Sequence, residues 1–227
     1  MNMISAVSEW LEEFGRVFIM YRPRLIASII THLWYVLGAV GLGFVVAFVL
    51  AVLLSRKPKW ASYVLPVISL FQTIPGIAFI GVLFIYNGMV PSTALIALAV
   101  YAVFPILKNS YVGIINVSES CKEAARGCGM SPLQVLINVE LPLAVPSIIA
   151  GVRISVVYIV SWAVLAAAIG LGGLGELIYA GVASNNKMLI LLGALPAAAM
   201  ALILSAVVDW LRRVLVPRQL RRDAHES

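Results

Sequence analysis

Ser118-Glu-Ser-Cys-Lys-Glu-Ala-Ala-Arg-Gly-Cys-Gly-Met-Ser-Pro-Leu-Gln-Val-Leu-Ile-Asn-Val-Glu-Leu-Pro142 is a polar interruption in the middle of an apolar chain. Ser120 and Glu123 stand at the S-x-x-E spacing of a capping box, which starts a short helix. Cys121, Ala124, Ala125 and Cys128 then fall at i, i+3, i+4 and i+7, one small apolar face, with Lys122 and Arg126 off it. Gly127 and Gly129 end the helix, because glycine accepts the left-handed turn that follows. Ser131-Pro132 opens a second short helix as N-cap and first helical residue. Leu141-Pro142 closes the unit. Such a helix suits insertion into a partner's groove, and the pattern fits an ordinary solvated loop helix equally well.

The chain around it has 227 residues, 62% hydrophobic and 11% charged. A soluble domain carries roughly 25% charged residues, so a soluble enzyme, a DNA-binding module and a disordered chain are excluded. What remains is an all-α polytopic membrane protein of one domain. A spanning helix needs about 20 mostly apolar residues, and five stretches qualify: 25–54, 61–86, 93–115, 146–169 and 188–214. The polar loop 116–142 falls between the third and fourth. The second is interrupted by Pro66 and by Pro75-Gly76. Residues 1–24 carry Glu9, Glu12 and Glu13 where a signal peptide needs positive charge. Trp10, Leu11, Phe14, Val17, Phe18 and Tyr21 recur there at helical spacing, which predicts an interfacial amphipathic helix. Residues 25–216 form the transmembrane domain, and 217–227 a basic tail.

The net charge is +6. With five spans, twelve of the sixteen Lys and Arg collect on the side of Arg56, the 116–142 loop and the tail. The positive-inside rule therefore predicts an outer N-terminus and a cytoplasmic C-terminus. The same rule accounts for the charge without nucleic acid. Cys121 and Cys128 are separated by about 10.5 Å of helical rise, too far for a disulfide. Two Cys and two scattered His, His32 and His225, make no zinc site.

Glu123-Ala124-Ala125, three residues, Gly129, nine residues, Val139, one residue and Leu141-Pro142 resembles the EAA signature of ABC importer permeases, with Val139 at the usual isoleucine. The resemblance implies a bacterial inner-membrane permease with the methionine-permease-like type I fold. It implies that the loop is a coupling helix seated on a cytoplasmic ATPase dimer, with Glu123, Ala124, Ala125, Gly129, Leu141 and Pro142 as coupling residues. It also implies a separate substrate-binding protein and a second permease, either another copy or a paralogue. A narrower resemblance, over about Gln72–Asn186, rests on Gln72-Thr-Ile-Pro-Gly76, Tyr101-Ala-Val-Phe-Pro-Ile-Leu-Lys-Asn-Ser110, Glu123-Ala-Ala-Arg-Gly-Cys-Gly-Met130, Ile149-Ala-Gly-Val-Arg153 and Gly170-Leu-Gly-Gly-Leu-Gly175. These stretches are similar to permeases of osmoprotectant importers, which carry glycine betaine, carnitine, choline and related amines. An importer permease for another small solute, such as an amino acid, is the alternative.

No G-x-x-x-x-G-K-[ST] occurs, and none of the five lysines follows a glycine, so ATP and Mg belong to the partner ATPase. The Gly170–Gly175 run follows no strand and reads as a tight outer loop against which a binding protein docks. An intramembrane enzyme needs a nucleophile and a base in reach, and His32 is the single histidine in a span. It reads as an interfacial hydrogen-bonder. Asp209 has Arg212 and Arg213 at i+3 and i+4, a local ion pair. The substrate-path candidates are Thr73, Pro75, Tyr158, Ser161 and Trp162. Aromatic faces attract quaternary ammonium groups. The break at Pro75 serves packing equally well, and aromatics in a membrane helix more often serve packing.

Overall fold

The computed structural model describes residues 3–216, with side chains from residue 7; the basic tail 217–227 lies outside the described residues. All the regular structure there is helical. Four helices are long and apolar enough to cross a membrane, or five if one bent pair counts as a span. A helix satisfies its own backbone, which is what an apolar segment in lipid must do.

The first helix, α1, runs unbroken over Met3–Ser55, about 80 Å at 1.5 Å per residue. The boundary expected at residue 24 is not a break. Pro23 lies inside the helix, and the one hydrogen bond it removes does not end a helix whose flanks are continuous. Phe14, Val17 and Tyr21, read as facing the membrane, pack against the bundle core. Trp10, Leu11 and Phe18 are exposed.

The second stretch is two helices, α2 (Pro58–Phe71) and α3 (Gly76–Asn87), bent by 90° at the break. Pro66 sits within α2 without ending it. The break falls at Pro75, which drives its predecessor out of the helical region. The third span is α4 (Pro91–Ile115), with Pro91 in its first turn.

Span four corrects the sequence reading. After α5 (Glu119–Gly127), the helix α6 (Pro132–Val135) passes through a π turn (Leu136–Glu140) into α7 (Leu141–Ala167). Residues 132–167 are thus one continuous rod, and Leu141-Pro142 closes nothing. A proline in a helix lacks an N–H and clashes with the carbonyl four residues back. The wider turn, in which Leu141 N–H donates to Leu136 O five residues back, accommodates Pro142 without breaking the helix. The chain ends with α8 (Leu174–Ala183) and α9 (Lys187–Leu215), the latter capped by Asn186 accepting from Leu189 N–H at 3.1 Å.

α1 packs along α4, α4 along α7, and α9 against α7 and α8. The crossings are lined with small residues, among them Ala39, Ala47, Ala97, Ala102, Ala144 and Ala163, which let membrane helices approach closely. At Gly151 a Cβ would lie 2.8 Å from Asn109 Cβ and 2.9 Å from Pro105 O. Gly151→Leu should therefore force α7 from α4 and cost about 1–3 kcal/mol. A lowered thermal unfolding midpoint in detergent is the expected result; an unchanged midpoint would refute this contact.

Two ion pairs tie α1 to distant parts of the chain. Arg24 bonds Glu176 on α8. Arg56 grips Glu140 with both guanidinium nitrogens, Nη1 to Oε1 at 3.2 Å. The 32 residues between Arg24 and Arg56 correspond to about 48 Å of helix. Asp209 has a partner that local spacing did not anticipate: Arg153 on α7, at 3.2 Å. Arg153 Nε also donates to Ser205 Oγ at 2.9 Å, so the interaction links α7 to α9. His32 is not interfacial. It is fully buried, its Nε2–H donating to Val160 O at 3.1 Å.

Candidate coupling loop and substrate path

The candidate coupling loop, residues 116–142, is built differently from its sequence reading. The N-cap of α5 is Ser118, and it makes no side-chain capping bond. Ser120 Oγ lies 3.3 Å from Ser118 Oγ, and the expected Ser120–Glu123 box is not formed. The capping box occurs one helix later: Gln134 N–H donates to Ser131 Oγ at 3.4 Å, and Ser131 N–H to Gln134 Oε1 at 2.7 Å. The first turn of α5 is held instead by Glu119, which pairs with Lys122 at 3.3 Å and Arg126 at 3.1 Å. The Lys122 hydrogen bond, with help from Arg126, keeps the Glu119 carboxyl below its ordinary range. A carboxyl depressed in the folded state contributes its stability above the unfolded pKa and loses it as pH falls through the lowered value. The clasp on α5 is therefore complete at neutral pH.

The end of α5 follows the expectation. Gly129 has φ +82°. Its N–H donates to Arg126 O at 2.9 Å, and Met130 N–H to Ala125 O at 3.2 Å, the two bonds of a Schellman turn. Of the expected small face, Cys121, Ala124 and Cys128 are exposed, and Ala125 is turned inward and buried. Glu123 is exposed and forms no ion pair or hydrogen bond among the described residues. Leu141 and Pro142 stand apart from this face, at the base of α7. A cavity of about 280 Å³ joins the end of α1 to α5 and the π turn, with Arg56, Glu119, Lys122, Arg126 and Glu140 in its wall.

The second candidate site lies at the break between α2 and α3. Trp162 of α7 packs on Gly76, where a Cβ would be 1.8 Å from the indole; only glycine leaves room for that ring. Tyr101 of α4 stacks on Trp162, centroids 4.7 Å apart, and meets Phe79 edge-on at 5.6 Å. Tyr101 Oη donates to Ile74 O at 2.8 Å, and Gln72 Nε2 to Tyr101 O at 3.4 Å. Ile74 O belongs to the break, and Tyr101 O is available because Pro105, four residues on in α4, has no N–H to donate to it. A cavity of about 230 Å³ is lined by Gln72, Tyr101, Tyr158 and Trp162.

The structure thus brings Tyr158 and Trp162 together beside the Pro75 break. Thr73 and Ser161 are exposed, and each hydroxyl donates to its own helix, to Leu70 O at 2.7 Å and Val157 O at 3.3 Å. Sequence reasoning missed Gln72 and Tyr101 as lining residues. Both start stretches that carried the osmoprotectant resemblance, but nothing in a linear sequence announces a stack between residues 61 positions apart. In the loop between α7 and α8, Gly170, Gly172 and Gly173 all have positive φ, and Tyr35 Oη reaches in to donate to Leu171 O at 3.1 Å.

Comparison with known proteins agrees with this architecture. Residues 39–221 match the family described as binding-protein-dependent transport system inner membrane component. The chain is 40% identical to the carnitine transport permease protein OpuCB of Listeria monocytogenes, over 86% of this chain and 89% of that one. It is 38% identical to the choline transport system permease protein OpuBB of Bacillus subtilis, over 84% and 88%. Among solved structures it is similar to a chain of the inward-facing MetNI methionine ABC transporter, with TM-score 0.79, 20% identity and coverage of 88% and 98%. That likeness bears on the fold, which is the methionine-permease-like one expected. The chain belongs to the binding-protein-dependent inner-membrane permease family and is the transmembrane, non-enzymatic subunit of an ABC importer.

Proposed function

We propose that this permease carries quaternary-amine osmoprotectants of the glycine betaine, carnitine and choline type, along a path past the α2–α3 break. The observation that carries the reading is the aromatic pocket at that break. Tyr101, Tyr158 and Trp162 surround a cavity beside interrupted helix, and aromatic faces attract an ammonium that cannot donate hydrogen bonds. Broken helix in a membrane is tolerated where it lines such a cavity. Relatives named for carnitine and choline support the same solute class. Pro75 makes the break and Trp162 fills it; Tyr158 lines the cavity, and Thr73 and Ser161 flank it.

In this reading the exposed face of α5 seats on a cytoplasmic ATPase dimer, which binds ATP and Mg. A substrate-binding protein docks on the outer glycine loop. A second permease, a copy or a paralogue, completes the pore within the lipid. Residues 1–24 lie toward the outer interface, and 217–227 in the cytoplasm.

Cells that depend on this importer should accumulate a betaine-type solute under hyperosmotic stress. Uptake of an amino acid such as methionine, without betaine uptake, would overturn the solute assignment. Topology is checked separately. After replacing the exposed Cys121 and Cys128 by serine, Ser227→Cys should react with an impermeant thiol reagent only from the cytoplasmic side. Labelling in intact cells would reverse the orientation.

A further inference from the structure

The aromatic cavity has a neighbour. A second cavity, of about 350 Å³, shares Gln72 and Tyr158 with the first and continues along α4 past Phe104 to Lys108 and Asn109. Tyr101 and Lys108 are seven residues apart on one helix, two turns or about 10 Å. Both line the same side of α4, because seven residues return a helix to nearly the same face. The Lys108 ammonium rests 5.9 Å above the Phe104 ring, so a residue that lines the cavity also positions the charge. Among the described residues no carboxylate lines either cavity.

The two cavities have opposite electrostatic preferences. The aromatic one favours a trimethylammonium group. The lower one presents a fixed positive charge, which attracts a carboxylate and repels a net cation. We propose that Lys108 is a specificity-determining residue. It makes the permease itself, independently of the binding protein, favour zwitterionic quaternary amines bearing a carboxylate over choline, which has none. This rests on the osmoprotectant reading above and adds a selection step to it. A zwitterion presents its ammonium to Tyr101, Tyr158 and Trp162 and its carboxylate toward Lys108. Choline meets the same charge with nothing to offset it.

The test uses the complete importer, permease with its ATPase and binding protein, in proteoliposomes. Radiolabelled glycine betaine and choline uptake are compared for the parent, Lys108→Gln, Lys108→Glu and Lys108→Arg. Because one binding protein serves every variant, a change in the betaine-to-choline ratio reports the permease. A unit charge acting across ~10 Å at an effective dielectric of ~20 shifts a preference by about tenfold. The ratio should fall by about that factor in Lys108→Gln, fall further in Lys108→Glu, and be kept in Lys108→Arg. Val112→Lys, one turn along the same cavity wall, should raise it, and this variant keeps Lys108 in place should its replacements fold poorly. Unchanged ratios in Lys108→Glu or Val112→Lys, with glycine betaine still transported, overturn the Lys108 assignment and leave the osmoprotectant reading standing. A parent importer that moves neither solute overturns that reading, and this one with it.

Discussion

Gly129→Asp should abolish transport while the permease remains folded and inserted. The residue has φ +82°, and a Cβ there would meet nothing within 4 Å. The conformational cost of leaving glycine is about 1–2 kcal/mol, and Asp and Asn tolerate the left-handed region better than other residues. That is too little to unfold the chain. What the substitution adds is a charge at the end of the exposed α5 face. A charge buried unpaired at an interface costs several kcal/mol, and every ~1.4 kcal/mol is tenfold in affinity. Glu123→Lys should behave alike, by reversing the charge of an exposed carboxylate that has no partner of its own among the described residues. Gly129→Asn is the control, with the same shape and no charge, and it should retain most of the transport. Pull-down of the ATPase and solute-stimulated hydrolysis in reconstituted membranes read the effect. If Gly129→Asp and Glu123→Lys both bind the ATPase and transport like the parent, α5 is not the coupling helix.

Arg56→Ala should be far more damaging than Glu140→Ala, although the two delete the same ion pair. The Glu140 side chain is only 4% exposed, and that of Arg56 is 42% exposed. Removing the arginine leaves a nearly buried carboxylate without its partner, which costs about 3–5 kcal/mol. Removing the glutamate frees a guanidinium that hydrates where it stands, and the loss should be nearer the ~1 kcal/mol of a surface pair. The double substitution should resemble Glu140→Ala alone, because no buried charge remains in either. Thermal unfolding of the three purified variants checks the order. Equal losses in the two single variants would mean that Glu140 is solvated in the assembled protein and that the burial argument fails.

Much of this architecture is written in composition. The long apolar stretches were legible in a chain with 11% charge, and Pro75-Gly76 marked the break, although Pro23 and Pro66 lie inside helices without ending them. The glycine end of α5 was legible as well, since few other residues accept φ +82°. What the sequence hid were the places where two plausible local signals compete. Ser120-x-x-Glu123 and Ser131-x-x-Gln134 share the capping-box pattern; the sequence reading takes the first, and only the second forms. Ser118 is the N-cap of α5, so Ser120 already lies within the helix, where its hydroxyl cannot cap. Leu141-Pro142 looked like a terminator because proline usually is one; a π turn changes which backbone groups meet it. Arg153 and Asp209, Arg56 and Glu140, and Tyr101 and Trp162 are pairs made by helix packing. No local periodicity points from one member to the other.

The unbroken helix from Pro132 to Ala167 has a mechanical meaning. Its lower end adjoins α5, and Trp162 lies thirty residues above Pro132, about 45 Å away along the axis. A rod of that length that tilts by ~5° about its foot displaces its upper reach by roughly 4 Å, more than the whole span of a hydrogen bond. The π turn at Leu136–Glu140 changes the pitch of the helix without ending it. In the coupling proposed above, the foot that a nucleotide-driven stroke would push and the ring that fills the gap at Gly76 belong to one continuous helix, so a small rotation at one end would become an ångström-scale displacement near the other.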